Sequence, residues 1–525
     1  MAQGILPRPG RGGIGGLVTQ AYRSRLGIFL QSVLIGVISG FVVLSFRLAL
    51  EAGEGLRERA YLYLRQGPTA LVVAWSLGLV LLGIFLGWIA TRFPMTRGSG
   101  IPQIKGAFQR RFRLQWLPEM PLKWLGAVLG IGAGLSLGRE GPSVQLGAYS
   151  GKAVLGIFRR PATERRYLLT SGAAAGLAAA FNAPLAGVIF AVEELHRYFS
   201  PLLLACAMGA SVAGDLVAGR FFGLKPSFTF PSIEVLGLER LPWVVIFGVV
   251  AAFGADLFKR ALYAGQDFYA RLRIPPMARP VVPLLASVPL GLAGFDLLGG
   301  GHHLVESLAT EHFALGVMLS LFAGKLLFTA LSYGTGSSGG IFLPLLVAGA
   351  LLGDAYGSAL AALGAIPETE TLNFLIIGMA AFFTGVVRAP VTGAVLVIEM
   401  SGNFNHFSSI IAACLVAYVV TDLIRSRAVY DVLLERIDAR FDLPKDGSGR
   451  TIVEAHVAAG SALSNRFIRN VPWPCGALVV GVQRGEAELV PRGDTEIKPG
   501  DVIIALVDEA RAAEAQAKLE ELGSG

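Results

Sequence analysis

Gly138-Arg139-Glu140-Gly141-Pro142 decides how this chain is read. An acid stands between glycines inside an apolar stretch running from about Leu122 to Phe158. Apolar surroundings penalise a charge, so an acid at membrane depth is by default a functional-site hypothesis. The glycines let the backbone bend and approach a ligand closely. Pro142 suits the first position of a helix, where its missing N–H costs nothing. The segment is therefore expected to bend and then start a helix whose positive end lies beside Glu140. An anion could take the same place, because unpaired N–H groups and the helix dipole both favour negative charge. The alternative left open is a loop Glu paired with Arg139 at a membrane surface.

The surroundings favour a membrane. The 525 residues are 53% hydrophobic and 16% charged, with mean hydropathy +0.60 and 67 glycines. Soluble domains carry about a quarter charged residues, and glycine is frequent in membrane helices. The net charge of +8 sits largely in short loops, where it sets orientation; no nucleic-acid motif accompanies it. Cys206, Cys414 and Cys475 are isolated, so neither a disulfide framework nor a metal site is inferred. His302-His303 reads as a solvent-facing pair in a polar connection.

Arg8, Arg11, Arg23 and Arg25 place residues 1–25 in the cytoplasm. Spans follow at Leu26–Leu50 and about Thr69–Ala90, since a membrane helix needs roughly 20 residues. Gly98-Ser99-Gly100-Ile101-Pro102 is a second glycine-rich break with a helix-starting proline, and the Ser99 hydroxyl can donate to an anion. The basic runs at Arg110–Arg113 and Arg159–Arg166 and the pair His196-Arg197 read as cytoplasmic. Tyr167–Leu195, broken at Asn182-Ala183-Pro184, then enters and returns as two half-helices, which membranes tolerate only inside protein or beside a water-filled cavity. Glu193 and Glu194 end the returning half, one of them expected to pair with His196 or Arg197.

The second half echoes the first. Gly172, Ala183, Pro184, Gly187 and Glu193 recur as Gly378, Ala389, Pro390, Gly393 and Glu399 (378 − 172 = 206). Gly138, Pro142, Gly147 and Ala148 recur as Gly340, Pro344, Gly349 and Ala350 (340 − 138 = 202). Corresponding Gly/Pro-interrupted segments in two halves point to a transporter's central site. The partner of the Glu140 stretch, Gly334–Pro344, carries no acid but offers hydroxyls and bare backbone. Three such helix starts can hold an anion by N–H groups, weakly enough to release it.

Near Asp422–Tyr430 the apolar sequence ends, with Arg425 and Arg427 at a cytoplasmic exit and a linker at Leu443–Gly449. Beyond Thr451 the pattern changes to short strands, at Ala477–Gln483 and Asp501–Leu506, with a turn at Pro499-Gly500 and a charged helix over Asp508–Leu522. A domain of this size is near the lower limit for folding alone and is expected to dimerise.

With GSGIP (98–102), GREGP (138–142), AAAFNAPLAGVIFAVEE (178–194), GSSGGIFLP (336–344) and AVYDVLLER (428–436) in this order, the chain resembles the CLC chloride channel and transporter family. The tail, through Ala477–Val482, Glu488–Thr495 and Lys498–Ile503, resembles the RCK/TrkA C-terminal regulatory family. The resemblance implies a polytopic α-helical membrane protein of two inverted repeats with broken helices, followed by a small cytoplasmic α+β domain. The expected division is residues 1–25, a transmembrane domain 26–432 with halves of about 26–222 and 241–430, a linker 433–450 and a tail domain 451–525.

The same resemblance implies that Ser99 and Tyr430 donate hydroxyls to chloride and that Ile341 and Phe342 add backbone N–H groups, with Gly141 in the same anion-binding set. Glu140 would be the gate and external proton acceptor, and Glu194 the internal proton-transfer residue. Channel-type relatives usually carry an apolar residue at the Glu194 position, so the implied activity is chloride/proton exchange; a passive voltage- or pH-gated chloride channel is the alternative. Gln103 departs from the acid that many members carry there. Tyr333-Gly334-Thr335-Gly336 superficially suggests a potassium filter, which needs four copies of such a loop. The implied partners are a second copy, through both domains, a lipid bilayer and an unidentified small ligand of the tail, with no nucleic acid, cofactor or metal. A bacterial inner membrane with both termini cytoplasmic is the implied location.

Overall fold

The computed structural model describes residues 14–109, 111–158, 164–196, 200–223, 225–228, 230–231, 235–294, 296–440, 450–484, 487–508 and 511–524. The basic residues Arg8, Arg11, Arg110, Arg159, Arg160 and Arg197 and the linker Leu443–Gly449 fall outside these ranges. Two compact units emerge. In the first, the helices are α1 Ile14–Gln66, α2 Thr69–Arg92, α3 Ile101–Phe108, α4 Trp116–Gly132, α5 Glu140–Ile157, α6 Arg165–Phe181, α7 Pro184–Phe190, α8 Pro201–Phe222 and α9 Leu241–Arg271. They continue as α10 Val281–Ala293, α11 His302–Thr310, α12 Leu315–Gly334, α13 Phe342–Ala362, α14 Thr371–Val387, α15 Pro390–Ser401, α16 Phe407–Leu423 and α17 Val429–Arg440. Among the described residues nine helices are long and apolar enough to cross a membrane. At 1.5 Å per residue α2 alone spans about 36 Å, more than a hydrocarbon core.

The internal echo is a structural one. The α6–α7 segment breaks at Asn182 and the α14–α15 segment at Arg388, both left-handed (φ 53° and 69°). In each case the short second helix folds back: Gly187 lies against Ala174 and Ala178, and Gly393 against Ala380 and Thr384. A Cβ on Gly147 would strike the Gly172 carbonyl, and one on Gly349 the Gly378 carbonyl. Hence α5 packs on α6, and α13 on α14, backbone against backbone, the close approach that small residues permit in membrane helices.

The two halves also clasp each other. The Glu193 carboxylate accepts the N–H groups of Val391 (3.3 Å) and Thr392 (2.7 Å) and the Thr392 hydroxyl (2.6 Å), at the start of α15. Glu399 accepts those of Leu185 (3.1 Å) and Ala186 (2.6 Å), at the start of α7. Residue i contacting j while j's counterpart contacts i's is the mark of a two-fold relation. Glu193 is thus a helix cap on the opposite half, and of the two basic partners expected for one of Glu193 and Glu194, Arg197 falls outside the described residues. A carboxylate in this place satisfies two orphan N–H groups and meets the positive end of a helix at once.

The second unit contains β1 Arg450–His456, β2 Leu478–Arg484, β3 Ala487–Leu489 and β4 Asp501–Asp508 in an antiparallel sheet of order β1-β4-β2-β3. One face, with Val453, Ala455, Ala505 and Val507, is covered by Ala515 and Leu519 of α18 (Ala512–Ser524). The tail helix begins at Ala512 and not at Asp508, because β4 continues to Asp508 opposite Arg450. Burial works against ionisation of Asp501, but the Arg484 guanidinium (2.7 and 2.8 Å) and the Lys498 amide hold its carboxyl below the ordinary range.

Candidate anion-binding site

Three glycine-led loops meet in the interior of the first unit. Gly138 and Gly340 exchange both backbone hydrogen bonds, each 2.7 Å, which ties the start of α5 to the start of α13. Gly98 donates to Ser337 (3.1 Å) and accepts from Gly339 (3.0 Å), which adds the start of α3. Gly141 lies so close to Ser99 that a Cβ there would strike the Ser99 hydroxyl. Lys123, fully buried on α4, pins the third loop by donating to the carbonyls of Thr96 (3.0 Å) and Gly98 (2.6 Å).

Glu140 is fully buried. It is the first residue of α5, so the helix starts two residues before Pro142. Proline is still accommodated, since none of the first four N–H groups has an intrahelical partner. The carboxylate also reaches beyond its own helix. It accepts the N–H of Leu343 (3.3 Å), at the start of α13 in the other half. Arg139 turns instead toward Glu51, at 3.9 Å. The alternative of a surface Glu140–Arg139 pair is thereby excluded.

Ser99, Tyr430, Ile341, Phe342 and Gly141 are all buried. The Tyr430 hydroxyl lies beside the Ser99 side chain and within electrostatic reach of both Glu140 and Glu194. Yet Ser99 Oγ, Tyr430 Oη and Glu140 Oε1 have no well-formed hydrogen bond among the described residues. Buried polar atoms are nearly always paired, so three such atoms at one convergence of helix starts suit a polar or anionic guest. The Phe342 ring packs on Phe181, Phe190 and Phe383, at the helix breaks, leaving only its backbone for the loop junction. Gln103 is buried and donates to the Arg97 carbonyl (2.6 Å).

Glu194 lies apart from this junction, in a π-helical turn Ala191–His196 that continues α7. Its side chain is 2% exposed and accepts from the ammonium of Lys105 (2.7 Å), on α3. Lys105 also meets Asp431 (2.5 Å), the neighbour of Tyr430 on α17. Glu194 and Asp431 share an open cavity of about 830 Å³ with Glu193 and several basic side chains. Sequence reading passed over Lys105, Lys123 and Asp431; the signal available was a lysine inside each of two apolar helices.

Converging helix starts, a buried acid and two clasped, pseudo-symmetric halves define a polytopic membrane protein with a polar junction in its interior. Comparison with known proteins gives the family. Residues 82–422 match the family described as voltage gated chloride channel, and residues 452–520 match the TrkA-C domain. The chain belongs to the CLC family of chloride channels and transporters, carries a C-terminal TrkA-C domain and is not an enzyme. It is 34% identical over 440 residues to the H(+)/Cl(-) exchange transporter ClcA of Citrobacter koseri, covering 81% of this chain and 91% of that one. A slow cyanobacterial Cl-/H+ antiporter superposes with a TM-score of 0.75 at 30% identity, over 79% of this chain and 98% of the other. A CLC-type fluoride/proton antiporter shares the fold, with a TM-score of 0.64 at 24% identity over 77% and 97% of the two chains.

Proposed function

We propose that this protein exchanges chloride for protons across a membrane. The observation that carries the reading is the Glu140 carboxylate seated at the start of α13, where helix N–H groups suit an anion. Chloride competes with the ionised side chain for that seat, and protonation releases the side chain, so proton and chloride favour the same state. Ser99 and Tyr430 donate hydroxyls to the ion, and the backbones of Ile341, Phe342 and Gly141 complete its surroundings. Glu194, beside the 830 Å³ cavity, passes protons to and from the cytoplasm. Kinship with an H(+)/Cl(-) exchange transporter and a Cl-/H+ antiporter supports exchange in this chain.

The exchanger works as a homodimer in a bacterial inner membrane, with both termini in the cytoplasm. Residues 26–432 carry transport in two inverted halves, about 26–222 and 241–430. Residues 451–525, joined through 433–450, pair the two copies and bind a small regulatory ligand. Liposomes holding the pure protein test the activity with paired pH and chloride electrodes. A chloride gradient should drive protons uphill, and Glu140→Gln should abolish that movement while chloride still passes. A reversal potential independent of pH would replace the exchanger with a passive channel.

A further inference from the structure

Lys105 is placed where a proton on Glu194 can be felt at the anion junction. Helix α3 is eight residues long: its start adjoins Ser99, and Lys105 stands one turn further on. The ammonium, 2% exposed, is shared between Glu194 at 2.7 Å and Asp431 at 2.5 Å. Asp431 lies in the first turn of α17 directly after Tyr430. One cation therefore connects the π-helical turn with the two short helices that carry the Ser99–Tyr430 pair.

We infer that Lys105 is a positioning residue that couples protonation of Glu194 to the Ser99–Tyr430 contact. The inference rests on the exchanger reading. While Glu194 is ionised, its carboxylate competes with Asp431 for the ammonium. The proton reaches Glu194 from the cavity that both acids line. Once neutral, Glu194 holds Lys105 less strongly, because the attraction between opposite charges is lost. The ammonium then engages Asp431 more fully and draws the first turn of α17 toward α3, closing Tyr430 on Ser99. Loading a proton thus narrows the anion's way past these hydroxyls, and unloading it widens that way. Other titratable neighbours among the described residues are Glu193, committed to the α15 cap, His196 in the same π-helical turn, Asp422 on the cavity wall and Tyr430 itself; Arg388, Arg425 and Arg427 stand on that wall too.

The test is the number of protons moved per chloride by the full-length chain in liposomes. Lys105→Met should lower that ratio about fivefold or more, the scale of a typical coupling energy, and Lys105→Arg should restore it. Asp431→Asn, at the more exposed end of the link, should lower it in the same direction and carries the test if Lys105→Met does not fold. A merely structural lysine would slow both ions together and leave the ratio alone. A wild-type ratio in Lys105→Met or in Asp431→Asn overturns the link while exchange stands. A wild-type chain that moves no protons overturns the exchanger reading, and the link with it.

Discussion

Glu140 and Phe342 occupy the same place in the two halves of the molecule. Each is the first residue of a helix that follows a glycine-rich loop, each has proline two residues on, and each is separated from the other by the repeat offset of 202. The backbone is reproduced; the side chain is not. One half presents a carboxylate that crosses to the other's helix start, and the other presents a ring that disappears among Phe181, Phe190 and Phe383. The same division recurs elsewhere. Glu193 and Glu399 match and cap each other's half, whereas Glu194 answers to Met400. Lys123 and Lys325 match, the first donating to Thr96 and Gly98 and the second to Leu297 and Gly299, whereas Ser99 answers to Gly300. Positions preserved across the repeat build the frame, and positions that differ carry the proposed chemistry.

The comparison breaks first at its unmatched acids. Glu194→Val, which makes that position apolar like Met400, should cut proton flux about a hundredfold or more, the scale of a positioned proton-transfer group, while chloride flux persists. Unchanged proton movement would show that asymmetry does not mark function here. A smaller effect separates the matched lysines. Lys123→Met should weaken chloride binding about tenfold, equivalent to the loss of one charge-assisted hydrogen bond at the loop. Lys325→Met should leave it within about twofold while costing similar stability. Calorimetric titration of chloride decides the matter, and equal losses of affinity would mean that both loops touch the ion. The smallest expected effect belongs to the clasp. Glu193→Gln and Glu399→Gln should each cost about 1–2 kcal/mol of stability, equal within error in thermal melts, with the proton-to-chloride ratio unchanged.

Much of this was legible in the sequence because glycine and proline punctuate it. The stretches 98–102, 138–142 and 334–344 mark three helix starts, and Asn182-Ala183-Pro184 marks a break; all are local signals written in backbone preference. The resemblance then supplied Tyr430, which local reading left at an exit from the apolar region. What stayed hidden depends on partners far along the chain. The cap made by Glu193 lies about 200 residues away, at Val391 and Thr392, and nothing near Glu193 announces it. Lys105 reads as a charge on a short helix until folding brings Glu194 and Asp431 to it from two other elements. The exact start of α5 escaped as well, since proline fits the first turn at more than one position.

The reciprocal caps restrict how this molecule can move. Sliding or rocking one half over the other would sever five hydrogen bonds to carboxylates simultaneously, at the two points where the halves hook together. Such a penalty makes the outer casing stiff on the time scale of ion passage. Displacement during a cycle then falls to single side chains and to one-turn adjustments of the shortest helices, a lock whose tumblers shift while its barrel stays still.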